Sequence, residues 1–504
     1  MSAAKNVEKK WELTGGWAGA WKIFAGIGAV GLAGAAYGFF AGSPEDHKRA
    51  AFSWLFAFIT FLLIALGAIF FVLVQHLTSA GWSVTVRRTA ELFGNGILVL
   101  IPLFIPIWLN ANTLFPWLGH AHAEEHGGGA QHHGALQIVT PAYAQQPDQP
   151  GHAAPAGTPP DDGVVTSPPN AADHAPDPAG KPPQHELPPT GGIVPRGGPE
   201  HASNRAAPHY YVPPGAKDPH ALVHEELMKG KSGYLNRTFF LIRAGIYFLI
   251  WIVLGVRLLG YSTAQDKTKD PNLTLAAQRF APPATFLFAL SLTFACFDWV
   301  MSLEPTWFST IFGVVMFACG VVSSYAVIIL VTMALRSSGP LEGAVTVEHY
   351  HDLGKLMFGF LVFWAYVSFS QFMLIWYAAL PEETTFFHNR WDYAPWANVS
   401  YALILFHFVV PFFWLISRTF KRNLGRLQIG AAILLVMHVV DIYWYVMPNF
   451  KLKQDGFAFH WLDIACLLAV GGIYAAFVFY RMTQFSLVPV GDPRLKRSLA
   501  FQNA

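Results

Sequence analysis

Apolar residues along this chain gather into ten long runs, at roughly 17–40, 51–75, 92–116, 236–260, 281–301, 306–335, 353–380, 394–417, 427–447 and 458–480. Each reaches the ~20 residues that carry an α-helix across the hydrocarbon core of a bilayer. Barrel strands would instead alternate in- and outward-facing residues over about ten positions. The pattern predicts an all-α integral membrane protein with about ten transmembrane helices.

The shortest break falls in CFDWVMSLEPTWFSTIF, residues 296 to 312, which reads as a tight turn between the fifth and sixth spans. Pro305 suits the first position of the following helix, and Trp299 and Trp307 have the amphipathic rings that favour a headgroup interface. Asp298 then lies one to two turns inside the fifth span, where an ionised carboxylate costs a few kcal/mol (~2.5–3.5 on insertion scales) unless it is paired or hydrated.

Composition changes the picture in one region. The chain is 53% hydrophobic and 13% charged, yet residues 117–233 turn to Pro, Ala, Gly, Asp and His and cannot bury a core. Four segments follow: 1–116 with spans one to three, the low-complexity loop 117–233, 234–484 with spans four to ten, and a tail at 485–504. Twelve of the twenty His lie in the loop, beginning with His120, His122, His126, His132 and His133. They repeat no ligand spacing, which favours a solvated linker over a metal site.

Basic residues set the orientation. Lys5, Lys9, Lys10, Arg87, Arg88, Lys267, Lys269, Arg418, Lys421, Arg422, Arg494, Lys496 and Arg497 collect on one side, against Lys48, Arg49, Arg390, Lys451 and Lys453 on the other. By the positive-inside rule both termini are cytoplasmic, while the long loop and the turn at Glu304 are outside. This rule accounts for the net charge of +2, and no nucleic-acid partner follows from it. Cys296, Cys319 and Cys466 stand singly inside spans, without the spacing of a haem c attachment or an iron–sulfur site.

Small residues Gly26, Gly28, Gly31 and Gly34 make the first span a close-packing surface. In the third, Pro102 and Pro106 leave the carbonyls of Leu98 and Pro102 unpartnered and bend the helix. Arg243 and Arg257 near the ends of the fourth span read as snorkelling cations.

The candidate chemistry is a set of polar side chains inside spans. His76 closes the second span at the inner edge. Lys355, Tyr366 and Ser370 fall on one face of the seventh at 100° per residue, a polar stripe that seals a helix contact or opens a proton path. His407 is near mid-membrane, four residues before Pro411, which cannot donate to the His407 carbonyl. His438, Asp441 and Tyr445, spaced three and four apart, share one face of the ninth span. An imidazole and a carboxylate one turn apart can exchange a proton or hold a quinol hydroxyl; a mutually satisfied buried pair is the structural alternative. Asp463 lies near the outer end of the tenth.

DWVMSLEPTWFSTIFG, AFSWLFAF with FFVLVQHLTSAGWSVTVRR, and VMHVVDIYW resemble the F subunit of bacterial alternative complex III, in the polysulfide-reductase membrane-subunit (NrfD-like) family. The resemblance covers residues 1–116 and 234–490. It implies ten helices with two four-helix bundles, spans two to five and six to nine, in a bacterial inner membrane. It also implies no bound redox cofactor, and a complex that oxidises menaquinol or ubiquinol. The implied partners are a paralogous NrfD-like C subunit, an iron–sulfur subunit, haem c subunits and a terminal oxidase. On this resemblance the chain contributes a quinone site, a proton path or a scaffold. Two other classes stand beside it: a haem b cytochrome ligated by His407 and His438, and a secondary transporter with its broken helix at Pro411.

Overall fold

The computed structural model describes residues 11–118, 226–392, 394–450 and 459–503. Ten helices among them are long and apolar enough to cross a membrane: Gly15–Phe40, Pro44–Leu77, Val84–Leu109, Arg237–Thr268, Asn272–Leu303, Phe312–Ser337, Val347–Ala378, Pro395–Leu415, Leu424–Asn449 and Trp461–Met482. No strand occurs among the described residues, so the protein is all-α and multi-pass. Most of the His-rich segment lies outside them, as do Lys5, Lys9, Lys10, Lys451 and Lys453.

Alternate spans run in opposite directions. One end carries the turn at Glu304 and is called the turn end; the other carries the C-terminal residues and is called the tail end. Spans two to five pack together, as do six to nine, and the second and sixth meet between the groups. That seam needs glycine. A Cβ on Gly67 would lie 2.2 Å from the Gly320 carbonyl oxygen, and one on Gly320 would lie 2.9 Å from the Leu63 oxygen. The first span packs on the tenth in the same way. Gly28, Gly31 and Gly34 face Ile473, Ala469 and Ala465, while Gly26 faces open space.

Local signals account for several helix ends. Ser43 accepts from the Asp46 amide and Asp46 bonds back to Ser43, a capping box with Pro44 at the first helical position. Asn236 and Asn423 cap the fourth and ninth spans. Near its prolines the third span breaks into Ile97–Leu103 and Ile105–Leu109, and the Trp54 indole donates to the Leu103 carbonyl at 2.8 Å.

The turn between spans five and six differs from expectation. Trp299 and Trp307 are buried, and Pro305 lies within the turn, because the next helix begins at Phe312. Trp307 stacks on Phe386 at 4.0 Å between centroids, and Glu304 pairs with the buried Arg390 at 2.9 Å. The short helix Pro381–Trp391 therefore covers the turn at Trp307, while Trp299 is enclosed by Phe58, Phe104, Phe248 and Trp251.

At the tail end Arg87 and Arg88, counted for orientation, are buried. Arg87 pairs with Glu91 at 3.1 Å and Asp492 at 2.6 Å. Arg88 pairs with Glu91 at 3.0 Å and Asp266 at 2.7 Å, and donates to Ser262 and the Ser486 carbonyl. The network ties the third and fourth spans to the C-terminal segment. Burial alone would raise the Asp492 pKa, but the Arg87 charge and the Arg494 hydrogen bonds outweigh it and hold this carboxyl well below its ordinary range.

Candidate functional site

A polar cluster sits inside the group formed by spans six to nine and reaches the second. The ninth span supplies His438 and Asp441, the sixth Cys319, the seventh Trp364, the eighth His407 and the second the carbonyl of Thr60. Cys319, His407 and His438 have no solvent exposure, and Asp441 has 1%.

His438 does not pair with Asp441, although they are one turn apart. Its Nδ1 lies 3.0 Å from Cys319 Sγ and its Nε2 lies 3.1 Å from the Thr60 carbonyl oxygen. A carbonyl only accepts, so Nε2 carries the proton and Nδ1 presents a lone pair to the thiol. The Cys319 thiol and the Asp441 carboxyl are near enough to each other to interact electrostatically. Cys319, not Asp441, is therefore the hydrogen-bond partner of His438 Nδ1.

Asp441 has two further neighbours. Trp364 Nε1–H donates to Oδ2 at 3.1 Å, and His407 Nδ1 lies 3.8 Å from the same oxygen. His407 stacks on the Trp364 indole at 3.9 Å between centroids, and neither ring nitrogen has a hydrogen-bond partner. The backbone explains its position. Leu403–Val409 forms a π-helical stretch just before Pro411, which adds a residue to the turn and directs His407 inward. Burying an unpartnered imidazole is unfavourable, and such groups concentrate at functional sites.

The one lone pair of His438, on Nδ1, is occupied by the Cys319 thiol and its Nε2–H by the Thr60 carbonyl, so in this arrangement His438 offers an iron no free nitrogen.

The remaining candidates lie elsewhere. Tyr445 is buried one turn from Asp441 toward the turn end, packed against Phe312 and Trp444. Asp298 is fully buried and held by Arg243 through Nε at 2.7 Å and Nη2 at 2.8 Å, with the Tyr247 hydroxyl donating at 2.8 Å. Arg243, expected to snorkel, is instead the inward-facing counter-ion. Asp463 pairs with Arg49 at 2.6 Å and accepts from Ser53, Tyr443 and the His460 amide. These two carboxylates are saturated by partners.

His76 is buried at the tail end, with both ring nitrogens lacking a hydrogen-bond partner. Lys355 and Tyr366 do share a face, but the exposed one: Tyr366 is 66% exposed, and Lys355 pairs only with Asp352 among the ion pairs of the described residues. The stripe does not lead into the cluster. Cys319 and Trp364 were not found from the sequence, since helical periodicity relates residues within one span and cannot pair Cys319 with His438.

No family model matches the chain, and no curated protein matches it.

Proposed function

We propose that this chain is the F-type membrane subunit of a quinol-oxidising respiratory complex, and that its buried cluster relays protons. The segment resemblance supports the assignment to the complex. The observation that carries the relay is the 3.0 Å contact of His438 Nδ1 with the Cys319 thiol, in one fully buried cluster with Asp441 and His407.

The relay is chemically balanced. With Asp441 protonated, its O–H donates to Cys319 sulfur while the S–H donates to His438 Nδ1. Transfer moves the Asp441 proton to sulfur and the thiol proton to Nδ1, giving a carboxylate, a regenerated thiol and an imidazolium. Thr60 stabilises that imidazolium by accepting from Nε2–H throughout. Repeating the transfer requires a proton from outside the cluster: one taken up at His407 passes from Nδ1 to Asp441 Oδ2, 3.8 Å away, while the imidazolium at His438 releases its own. Under the positive-inside orientation the tail end faces the cytoplasm, and menaquinol or ubiquinol is oxidised by the assembled complex.

The test is quinol oxidation per mole of assembled complex, with proton release followed in vesicles, for Asp441→Asn. The reading requires assembly to survive while proton release falls. Unchanged turnover and proton release would leave the chain a scaffold of the same complex.

A further inference from the structure

Three side chains at the tail end carry buried polar atoms that no described residue satisfies. His76, on the second span, is 4% exposed, and neither of its ring nitrogens has a hydrogen-bond partner. Arg87, on the third span, is 1% exposed; Glu91 takes its Nε and Asp492 its Nη2, while Nη1 is unpartnered. Arg494, in the C-terminal segment, spends Nε and Nη2 on Asp492, and its Nη1 is likewise buried and unpartnered.

Both guanidinium groups converge on one atom. Arg87 Nη2 and Arg494 Nη2 donate to Asp492 Oδ2 at 2.6 and 3.2 Å, and the His76 ring lies within electrostatic range of both arginines and of that carboxylate. Neither arginine donates to the imidazole directly.

The chemistry of these atoms names what completes the site. A guanidinium nitrogen only donates, whereas a neutral imidazole has one N–H and one lone pair. Burying a charged donor without an acceptor is costly, so the missing group must accept from the two Nη1 atoms and donate to His76. A halide accepts but cannot donate. Any anion would also unbalance the network, in which Arg87, Arg88 and Arg494 are matched by Glu91, Asp266 and Asp492. Water is neutral, accepts twice and donates twice, and buried waters typically bond such groups about three times each. The Arg494 side chain is 17% exposed, so the site borders the tail-end surface from which water enters.

We propose that His76, Arg87 and Arg494 enclose a hydration site, whose fixed water accepts from both Nη1 atoms and donates to the His76 ring. The bridge ties the second span to the ion-pair network of the third span and the C-terminal segment. It does not rest on the relay proposed for Cys319 and His438.

The experiment is X-ray hydroxyl-radical footprinting of the full chain in detergent, read by mass spectrometry. Radicals formed from a bound water oxidise the side chains beside it, so His76 should be modified although it is buried. His438 is the internal control: it is buried with both nitrogens engaged and should stay unmodified. A second readout is a double-mutant cycle on melting temperature with His76→Phe and Arg494→Met, in which a shared water makes the two effects non-additive. Replacing gluconate by chloride at constant ionic strength should leave the melting temperature unchanged. An unmodified His76, additive effects in the cycle, or a melting temperature that rises with chloride would each overturn the proposal, and the first of these is read on the unaltered chain.

Discussion

Cys319 Sγ lies 3.0 Å from His438 Nδ1, across the interface of the sixth and ninth spans. Because the opposite nitrogen of His438 is fixed on the Thr60 carbonyl, the thiol meets a lone pair and must donate to it. A buried cysteine with no such neighbour would be a small apolar filler. Here it donates to a histidine that is itself held by a backbone carbonyl.

Replacing that cysteine separates relay from packing. Cys319→Val keeps the volume and removes the donor, leaving Nδ1 unsatisfied at a cost of about 1–3 kcal/mol. A proton-transfer step that uses the thiol should slow by ~10²–10⁴-fold, with a smaller drop in turnover where another step limits the rate. Cys319→Ser restores an O–H and should recover much of the loss. Proton release per quinol, measured in vesicles for both variants, checks this, and equal behaviour of Val and Ser would remove the thiol from the pathway.

Asp298 and Arg243 form a buried two-point ion pair, so removing one partner strands the other. Asp298→Ala should destabilise by about 3–5 kcal/mol, whereas Tyr247→Phe removes a single hydrogen bond to the carboxylate and should cost about 1.5–3 kcal/mol. Thermal unfolding in detergent ranks them. Similar midpoints for both variants would show that the pair contributes little.

The seam of the second and sixth spans should be intolerant of a single methyl. Gly67→Ala places a Cβ 2.2 Å from the Gly320 oxygen and, as overpacking, should cost about 1–3 kcal/mol. Gly26→Ala meets nothing within 4 Å and should stabilise slightly, since alanine is the better helix former by up to about 1 kcal/mol. Opposite shifts in melting temperature are the expected outcome.

Acid should loosen the tail end. The folded pKa of Asp492 is depressed by Arg87 and Arg494 despite its burial. Its stabilisation is therefore present above the unfolded carboxylate value of ~3.9 and is lost as the pH falls from there through the folded pKa. Limited proteolysis of the segment after Met482 should accelerate below about pH 4. Asp492→Asn should show fast cleavage already at neutral pH, with a weaker acid dependence. Cleavage of the wild type at one rate throughout would rule the linkage out.

The ten spans were legible because burial in lipid demands long apolar runs, and hydropathy reports those directly. The small-residue face of the first span was legible for a related reason: close helix approach needs glycine, and Gly28, Gly31 and Gly34 do contact the tenth span. Helical phase also placed His438 and Asp441 on one side of the ninth. What each side chain touches was decided by tertiary structure alone. His438 turns to Cys319 and Thr60, distant by 119 and 378 positions, and Arg243 turns inward to Asp298, distant by 55. Lys355 and Tyr366 share a face by sequence, but only packing shows that this face points away from the bundle. Periodicity orders residues around one helix axis, whereas a proton path or an ion pair depends on how separate axes are rotated against each other, and no single span encodes that rotation.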